Sequence, residues 1–434
     1  MSDRRAPAAT VLLVVAVLGC SGPDEVSTDP QPTAVERSAG PTGPPASASP
    51  APAMTPNMEA SMPPVPTGDV YAVPDPLPPA APGTPIWAER VAAPEGAIAW
   101  RVLYHSRSIG DENIAVSGLV VAPDREPPPA GFPVIAYAHG TTGLADACAP
   151  SRRAQPLDAH GGAGSGDLPL PPFWEAGYVV AATDYEGLGT PGPHPYLVGG
   201  SEGRGVLDSI RAARALPEAH AGESAVVVGI SQGGHAALFT GELAGAYAPD
   251  AGLRGVVALA PGAELAQAAM LLTGDPSVVG FGVAIGYGFA AAHPELRLGQ
   301  ILTPRALAAL DVIETGCIDD ILDTFAGPAA DTLRLERLMQ PPWPALLDQN
   351  TPGRVPTPVP IFVGQGEADP LVIPELTDAL VARLCAIGDR VTYRRYPGES
   401  HSGVVEASQD DVVAWVGNVV AGRPMGTAGD GCPG

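Results

Sequence analysis

Short apolar segments alternate with segments of helical periodicity from residue 132 onward. Segment 226–230 is rich in valine and lies beside turn-forming residues, as buried strands do. Further segments of this kind are 132–138, 178–183, 253–261, 360–364 and 390–396. Between them, apolar residues recur at helical spacing, most clearly over 203–216 and 376–386. This alternation predicts an α/β fold with a mostly parallel sheet and helices on both faces.

Two parts of the chain depart from this alternation. Residues 98–104 and 114–122 have the pattern of a β-hairpin around the turn 110–113. About a hundred residues then separate two consecutive predicted strands, far more than one crossover helix needs. Helical patterns occupy this gap at 263–272, 305–315 and 331–339. We expect residues 262–356 to form a helical cap over the functional site.

A serine motif follows the strand 226–230. Gly229, Ser231 and Gly233 form G-x-S-x-G, and a helix-like segment comes next. This strand, turn and helix are typical of the nucleophile elbow of α/β-hydrolases, where a sharp turn presents the serine Oγ. Glycine permits the tight backbone, and the helix N-terminus favours developing negative charge. The sequence therefore predicts an α/β-hydrolase fold with Ser231 as the nucleophile.

The acid and the histidine are expected later in the chain, because hydrolases of this fold order them serine, acid, histidine. Asp369 and His401 each follow a predicted strand, and such sheets place their chemistry at the carboxyl ends of strands. We predict that His401 is the general base and that Asp369 orients it. Glu367 is the alternative acid.

The turn after strand 132–138 reads His-Gly-Thr-Thr-Gly, beginning at His139. In this fold, that turn supplies one backbone N–H of the oxyanion hole, and the residue after the nucleophile supplies the other. The first donor is therefore Thr141 or Thr142, which spacing does not separate, and the second is Gln232.

Other serine and histidine residues are given structural roles. A second G-x-S-x-G match, at 199–203, lacks a strand before it, so Ser201 is interpreted as the N-cap of helix 203–216. His235 is interpreted as a packing residue of the helix after the elbow. The remaining histidines are expected at the surface or in loops, and they are His105, His160, His194, His220 and His293.

The N-terminal region has the composition of an export segment followed by a linker. Residues 1–20 combine two arginines, an apolar core and Cys20 in a lipobox-like context, and they predict a signal peptide with a lipidation site. Ordinary signal cleavage nearby is the alternative. Residues 21–83 are rich in Pro, Ala, Ser and Thr, which predicts a disordered tether. The hydrolase domain is expected to span residues 84–434.

Charge and cysteine content limit the remaining function classes. A formal charge of −24 disfavours nucleic acid and a basic membrane-binding patch. The chain has five cysteines, and an even number remains if Cys20 is lipidated, which suggests two disulfides in an exported protein. C-x-x-C and H-E-x-x-H do not occur in the sequence, so no metal site or other cofactor is predicted.

Several motifs together resemble the secretory lipase family over roughly residues 84–422. They are His139–Gly143 with Cys148–Ser151, Asp184–Gly189, Pro193–Leu197, Gly229–Gly234 and Gly366–Asp369. The resemblance implies an α/β-hydrolase with a helical cap, the triad of Ser231, Asp369 and His401, and triacylglycerol or other ester substrates. It also implies the disulfides Cys148–Cys317 and Cys385–Cys432.

The expected function is therefore that of an exported lipase or esterase, held at a membrane by its N-terminal lipid or secreted. A serine peptidase or acyltransferase on the same fold, and an inactive lipid-binding lipoprotein, are the alternatives. The apolar, glycine-rich segment 277–292 is interpreted either as a buried cap helix or as a surface that faces an acyl chain.

Overall fold

The computed structural model describes residues 69–153, 170–272, 274–423 and 431–432. The predicted signal peptide, Cys20, most of the predicted tether and His160 lie outside these residues. None of the helices in the described ranges has the length and apolar character needed to cross a bilayer.

Nine strands form one sheet within the described residues. They are β1 (Pro85–Val91), β2 (Ala97–Arg107), β3 (Asn113–Pro123), β4 (Phe132–Ala138), β5 (Val179–Thr183), β6 (Ala221–Ile230), β7 (Leu253–Leu259), β8 (Ile361–Gly366) and β9 (Val391–Tyr396). Their order across the sheet is β1-β2-β3-β5-β4-β6-β7-β8-β9. The first four strands of this order pair antiparallel, and every later pair is parallel. The carboxyl ends of β4, β6, β7, β8 and β9 therefore share one edge.

Helices connect the strands and cover both faces of the sheet. They are α1 (Pro150–Arg153), α2 (Pro171–Ala176), α3 (Gly199–Arg214), α4 (Gln232–Tyr247), α5 (Leu265–Leu272), α6 (Val279–Ala292), α7 (Pro304–Ala308), α8 (Asp311–Thr315), α9 (Ile318–Phe325), α10 (Ala329–Thr332), α11 (Leu335–Leu338), α12 (Trp343–Gln349), α13 (Pro374–Ala386) and α14 (Gly403–Val420). Side chains alternate across β6, so Val227 packs with α3, α4 and α13, whereas Val226 and Val228 pack with α2 and α14. This two-sided burial explains why residues 225–230 of β6 form an apolar run.

Helices α5–α12 are inserted between β7 and β8 and have a hydrophobic core of their own. The predicted helix 331–339 is two short helices, because Leu333 forms an isolated β-bridge with Leu302 that interrupts the helical hydrogen bonds. The predicted helix 305–315 is likewise divided into α7 and α8. Helix α6 is mostly buried in the inserted core, which supports the buried-helix interpretation of 277–292.

The described residues contain two disulfides, and their pairing is the one that the family resemblance implies. Cys148 is bonded to Cys317, so the segment after β4 is joined to the inserted helices. Cys385 on α13 is bonded to Cys432 near the C-terminus. Beside the first disulfide, Ile318 N donates to the Thr142 carbonyl oxygen at 3.0 Å.

Two expectations about burial are corrected. The domain begins earlier than residue 84, because Val70 and Tyr71 are buried and the Tyr71 hydroxyl lies 2.9 Å from Ser151 Oγ. His105 is buried on β2, with Nδ1 at 3.0 Å from the Asn113 side-chain oxygen. A ring nitrogen that has a hydrogen-bond partner can be buried at low cost. The polarity of His105 was therefore not enough to predict whether it is exposed.

Candidate active site

The backbone at Ser231 has the geometry of a sharp turn between β6 and α4. Its φ of 57° and ψ of −116° lie where non-glycine residues are rare, so the surrounding structure must hold the turn in place. Ser231 N donates to the Leu259 carbonyl oxygen at 2.9 Å, which fixes the turn to the end of β7. A Cβ at Gly233 would collide with the Ala138 carbonyl, and one at Gly229 would collide with the carbonyl of Gly233. The two motif glycines therefore permit a close approach of elbow and β4.

Asp369 and His401 are joined at the same edge of the sheet. Asp369 follows β8 and is 3% exposed, and His401 follows β9. His401 Nδ1 lies 2.7 Å from Asp369 Oδ2; because a carboxylate only accepts, the nitrogen donates. Asp369 Oδ1 accepts the backbone N–H groups of Leu371 and Val372, at 2.8 and 2.9 Å. These bonds fix the carboxylate, and the carboxylate in turn fixes one face of the imidazole.

Glu367, the alternative acid, is exposed. Its backbone N–H bonds to the Tyr396 carbonyl oxygen at 3.0 Å. The carboxylate that contacts His401 is that of Asp369.

The three candidate oxyanion residues occupy different environments. Thr141 is half-buried, and its Oγ1 lies 2.7 Å from the Tyr196 hydroxyl. Thr142 is buried, and its carbonyl bonds to Ile318 of the insertion. Gln232 opens α4, and its side chain is buried on the inner side of the elbow. His139 precedes these threonines, and its ring lies 4.5 Å, centroid to centroid, from that of Tyr185.

Ser201 is not an N-cap, which corrects the expectation from the sequence. Helix α3 begins at Gly199 with Val198 as its cap, and the Ser201 hydroxyl donates to the Glu186 carboxylate. The helix begins earlier than predicted because Gly199 N donates to the Asn350 side-chain oxygen at 2.9 Å. This partner lies far away in the sequence.

The sequence analysis missed a set of buried polar residues behind the elbow. Glu202 on α3 and His235 on α4 are fully buried, with Oε2 and Nδ1 2.7 Å apart. His194, expected at the surface or in a loop, lies in a loop but is 1% exposed, and burial lowers its pKa to about 4. The signal in the sequence that could have indicated this buried set is Glu202, a glutamate directly before the predicted helix 203–216.

In the described part of the chain, no group of three or more His, Cys, Asp and Glu side chains is placed to hold a metal ion. The arrangement instead holds a strained serine, a histidine bonded to a buried carboxylate, and backbone N–H groups near the serine. These are the groups that nucleophilic acyl transfer requires.

The family model described as secretory lipase matches residues 165–428. This chain belongs to the secretory lipase family. The matched region contains the elbow, Asp369 and His401, and the family predicted from the motifs is confirmed.

Two curated relatives are similar in sequence. Lipase A of Moesziomyces aphidis is 25% identical over 252 residues, which cover 54% of this chain and 53% of that protein. Trichothecene C-3 esterase of Fusarium sporotrichioides is 26% identical over 274 residues, which cover 59% of this chain and 60% of that protein. The chain thus spans little more than half the length of the curated relatives it matches.

Solved structures show the same fold. Candida antarctica lipase A in its closed state superposes with a TM-score of 0.72 and 21% identity, covering 86% of this chain and 91% of that chain. The rice cell wall degrading esterase LipA of Xanthomonas oryzae gives a TM-score of 0.66 and 18% identity, covering 80% and 100%. The predicted α/β-hydrolase fold is confirmed.

Proposed function

We propose that this protein is an exported carboxylic-ester hydrolase in which Ser231, His401 and Asp369 act as a catalytic triad. The observation that carries the proposal is the 2.7 Å hydrogen bond between His401 and the buried Asp369 carboxylate. The pair lies at the sheet edge where the strained Ser231 also lies, in a chain of the secretory lipase family. The names of both sequence relatives, a lipase and an esterase, favour ester over peptide substrates.

The mechanism follows from the roles of these groups. His401 Nε2 takes the Ser231 hydroxyl proton as Oγ attacks the ester carbonyl carbon. The Gln232 N–H and a second N–H stabilise the oxyanion, and we assign the second donor to Thr141 because Thr142 is held against the insertion by the bond from Ile318 N to its carbonyl. His401 then protonates the leaving alcohol. Water, activated by the same histidine, hydrolyses the acyl-enzyme and releases the acid.

The role of Asp369 is to hold His401 in one tautomer. With Nδ1 donating to the carboxylate, Nε2 is free to accept the serine proton, and the negative charge stabilises the imidazolium that forms.

The inserted helices α5–α12 are proposed to be the cap. Their apolar core and their covalent link to the segment after β4 suit a cover over an apolar ester. Triacylglycerols and other carboxylic esters are the substrate class that we propose.

The test is hydrolysis of p-nitrophenyl esters of increasing acyl length by wild type and by Ser231→Ala. Wild type should hydrolyse them, and loss of the nucleophile should lower kcat on the order of 10⁶-fold. Ser201→Ala, the serine of the other G-x-S-x-G match, is the matched control and should keep its activity. A folded wild type that cleaves only amides, or nothing, would contradict the proposal; binding of lipid without cleavage would favour the inactive lipoprotein.

A further inference from the structure

The Gln232 side chain is held by two acceptors behind the elbow. Its amide nitrogen lies 3.0 Å from His194 Nε2 and 2.8 Å from Glu202 Oε1. Gln232, His194 and Glu202 are 2%, 1% and 0% exposed. Both amide hydrogens of Gln232 are therefore used in a site where water does not compete for them.

The direction of these bonds follows from the outer partners. His194 Nδ1 lies 2.8 Å from the Glu186 carbonyl oxygen, which only accepts, so Nδ1 carries the hydrogen and Nε2 accepts. The reversed amide would place the Gln232 oxygen against two acceptors. The orientation observed is the one in which the amide nitrogen donates to both acceptors.

Glu202 is anchored on its other side as well. Oε1 also accepts the Leu197 N–H at 3.0 Å, and Oε2 faces His235 Nδ1. His235 Nε2 donates to the Asn350 carbonyl oxygen at 2.8 Å. Both oxygens of Glu202 and both ring nitrogens of His235 therefore have hydrogen-bond partners. A fully bonded buried network of this kind fixes its members in one arrangement.

The loop that carries His194 also reaches the other side of the oxyanion site. The Tyr196 hydroxyl bonds to Thr141 Oγ1 at 2.7 Å, and Tyr196 N donates to the His194 carbonyl oxygen at 2.9 Å. One short segment therefore contacts both residues to which we assigned an oxyanion-binding N–H.

We propose that His194 and Glu202 are positioning residues that hold the Gln232 side chain, and through it the Gln232 N–H, in the orientation that binds the oxyanion. This inference rests on the proposed function. The strained backbone of Ser231 is the reason such support is needed, because the peptide between Ser231 and Gln232 must stay in a rarely populated conformation. Support of this kind affects the transition state more than substrate binding.

The test compares Gln232→Met and His194→Phe with wild type. Each change keeps size or ring shape and removes the hydrogen bonds. We expect kcat to fall ~10–100-fold in each variant, while KM stays nearly unchanged. This decrease is smaller than, or comparable to, the decrease in kcat caused by loss of a whole oxyanion donor. Affinity for an alkyl boronic acid, which forms a tetrahedral adduct on the serine, should fall by the same factor. The double variant should be no worse than Gln232→Met alone, because that change already removes the bond to His194.

Two controls separate positioning from stability. Thr240→Val removes a buried side-chain hydrogen bond two turns along α4, to the Ala236 carbonyl oxygen, and should lower the melting temperature without changing kcat. Glu202→Gln keeps the size and the acceptor oxygen that Gln232 needs, and it should retain most activity, whereas Glu202→Leu should not.

The outcomes are distinguishable. Gln232→Met and His194→Phe variants that melt earlier but keep wild-type kcat and boronate affinity, beside an inactive Ser231→Ala, would overturn the positioning role alone. A Ser231→Ala variant that still hydrolyses the ester would overturn the proposed function and the positioning role with it.

Discussion

Asp369 is the residue through which the proposed triad can be tested most selectively. In Asp369→Asn, the amide oxygen can keep the bonds from Leu371 and Val372, so the fold should persist. The amide nitrogen would donate to His401 Nδ1 and force the hydrogen onto Nε2, where it blocks proton transfer from serine. We expect kcat for a p-nitrophenyl ester to fall ~10⁴-fold. Glu367→Gln is the control; an active Asp369→Asn variant would assign the acid role elsewhere.

The lowered pKa of His194 predicts that the stability of the protein depends on pH. The pKa of His194 is lowered from 6.5 to about 4; burial is the largest cause and His139 acts in the same direction, while Glu202 and the Glu186 carbonyl oppose them. Between these two pKa values the unfolded chain therefore binds more protons than the folded protein. The contribution of His194 to the free energy of unfolding is fully present above pH 6.5 and is lost as the pH falls towards 4. The contribution lost by pH 4.5 is on the order of 2 kcal/mol.

Urea unfolding of wild type and His194→Phe at pH 7.5 and 4.5 measures this contribution. The variant lacks the titrating ring, so its free energy of unfolding should change less between the two pH values. Equal changes in both proteins would show that His194 does not titrate in this window.

Individual site residues could be predicted only where chain order constrained them. The order serine, acid, histidine pointed to Asp369 and His401, and the structure joins these two. Spacing could not separate Asp369 from Glu367, because both follow β8, and burial distinguishes them. Glu202 and His194 were missed because their shared partner, Gln232 on α4, lies 30 and 38 residues away along the chain, which no local pattern reveals.

At the scale of elements, we predict that the disulfide between the inserted helices and the segment after β4 contributes to both stability and activity. The Cys148–Cys317 disulfide joins residues 169 apart in sequence, and loops of this length lose much chain entropy when closed. Replacing both cysteines by alanine should lower the free energy of unfolding by ~2–4 kcal/mol. Because Thr142 bonds to the residue after Cys317, we also expect kcat on esters to fall.

The second disulfide provides the matched comparison. Cys385–Cys432 joins residues 47 apart, far along the chain from the proposed oxyanion site. Its double alanine variant should lose stability but retain kcat. If both variants lose activity in proportion to stability alone, the first disulfide has no particular role near the active site.

Elements with strong periodicity could be predicted and short ones could not. The buried strands β4–β8 appear as apolar runs because both faces are covered. Strand β1 was missed because it pairs only with β2 at the edge of the sheet and is partly exposed, so it has no continuous apolar pattern. The predicted helix 331–339 was misjudged because the Leu302–Leu333 bridge interrupts it, and the local sequence does not reveal this contact.

At the scale of the whole molecule, composition located the folded domain but not its edge. Residues 69–83 are rich in proline, yet the Tyr71 ring lies 3.8 Å from the Arg152 guanidinium and its hydroxyl reaches Ser151. Two buried side chains are enough to attach a segment whose composition resembles a linker. The tether that we propose therefore ends before residue 69.

The N-terminal region carries the last prediction, that the mature enzyme is anchored to a membrane by lipid on Cys20. The two N-terminal arginines, the short apolar core and Cys20 precede a Pro/Ala/Ser-rich stretch that would let the hydrolase domain reach insoluble esters while anchored. Acyl chains on the cysteine contribute ~0.8 kcal/mol for each buried CH₂, enough for stable attachment when several chains are present.

Cell fractionation in a bacterial host, with mass spectrometry of the N-terminus, tests the anchor. Wild type should be found with membranes and begin at an acylated Cys20. Cys20→Ser should release active enzyme into the soluble fraction with unchanged kcat on a soluble ester, because the catalytic groups lie in the folded domain. Ser21→Ala is the control and should stay with the membrane. Soluble wild-type protein whose N-terminus lies elsewhere would instead identify a secreted enzyme that meets its substrate by diffusion.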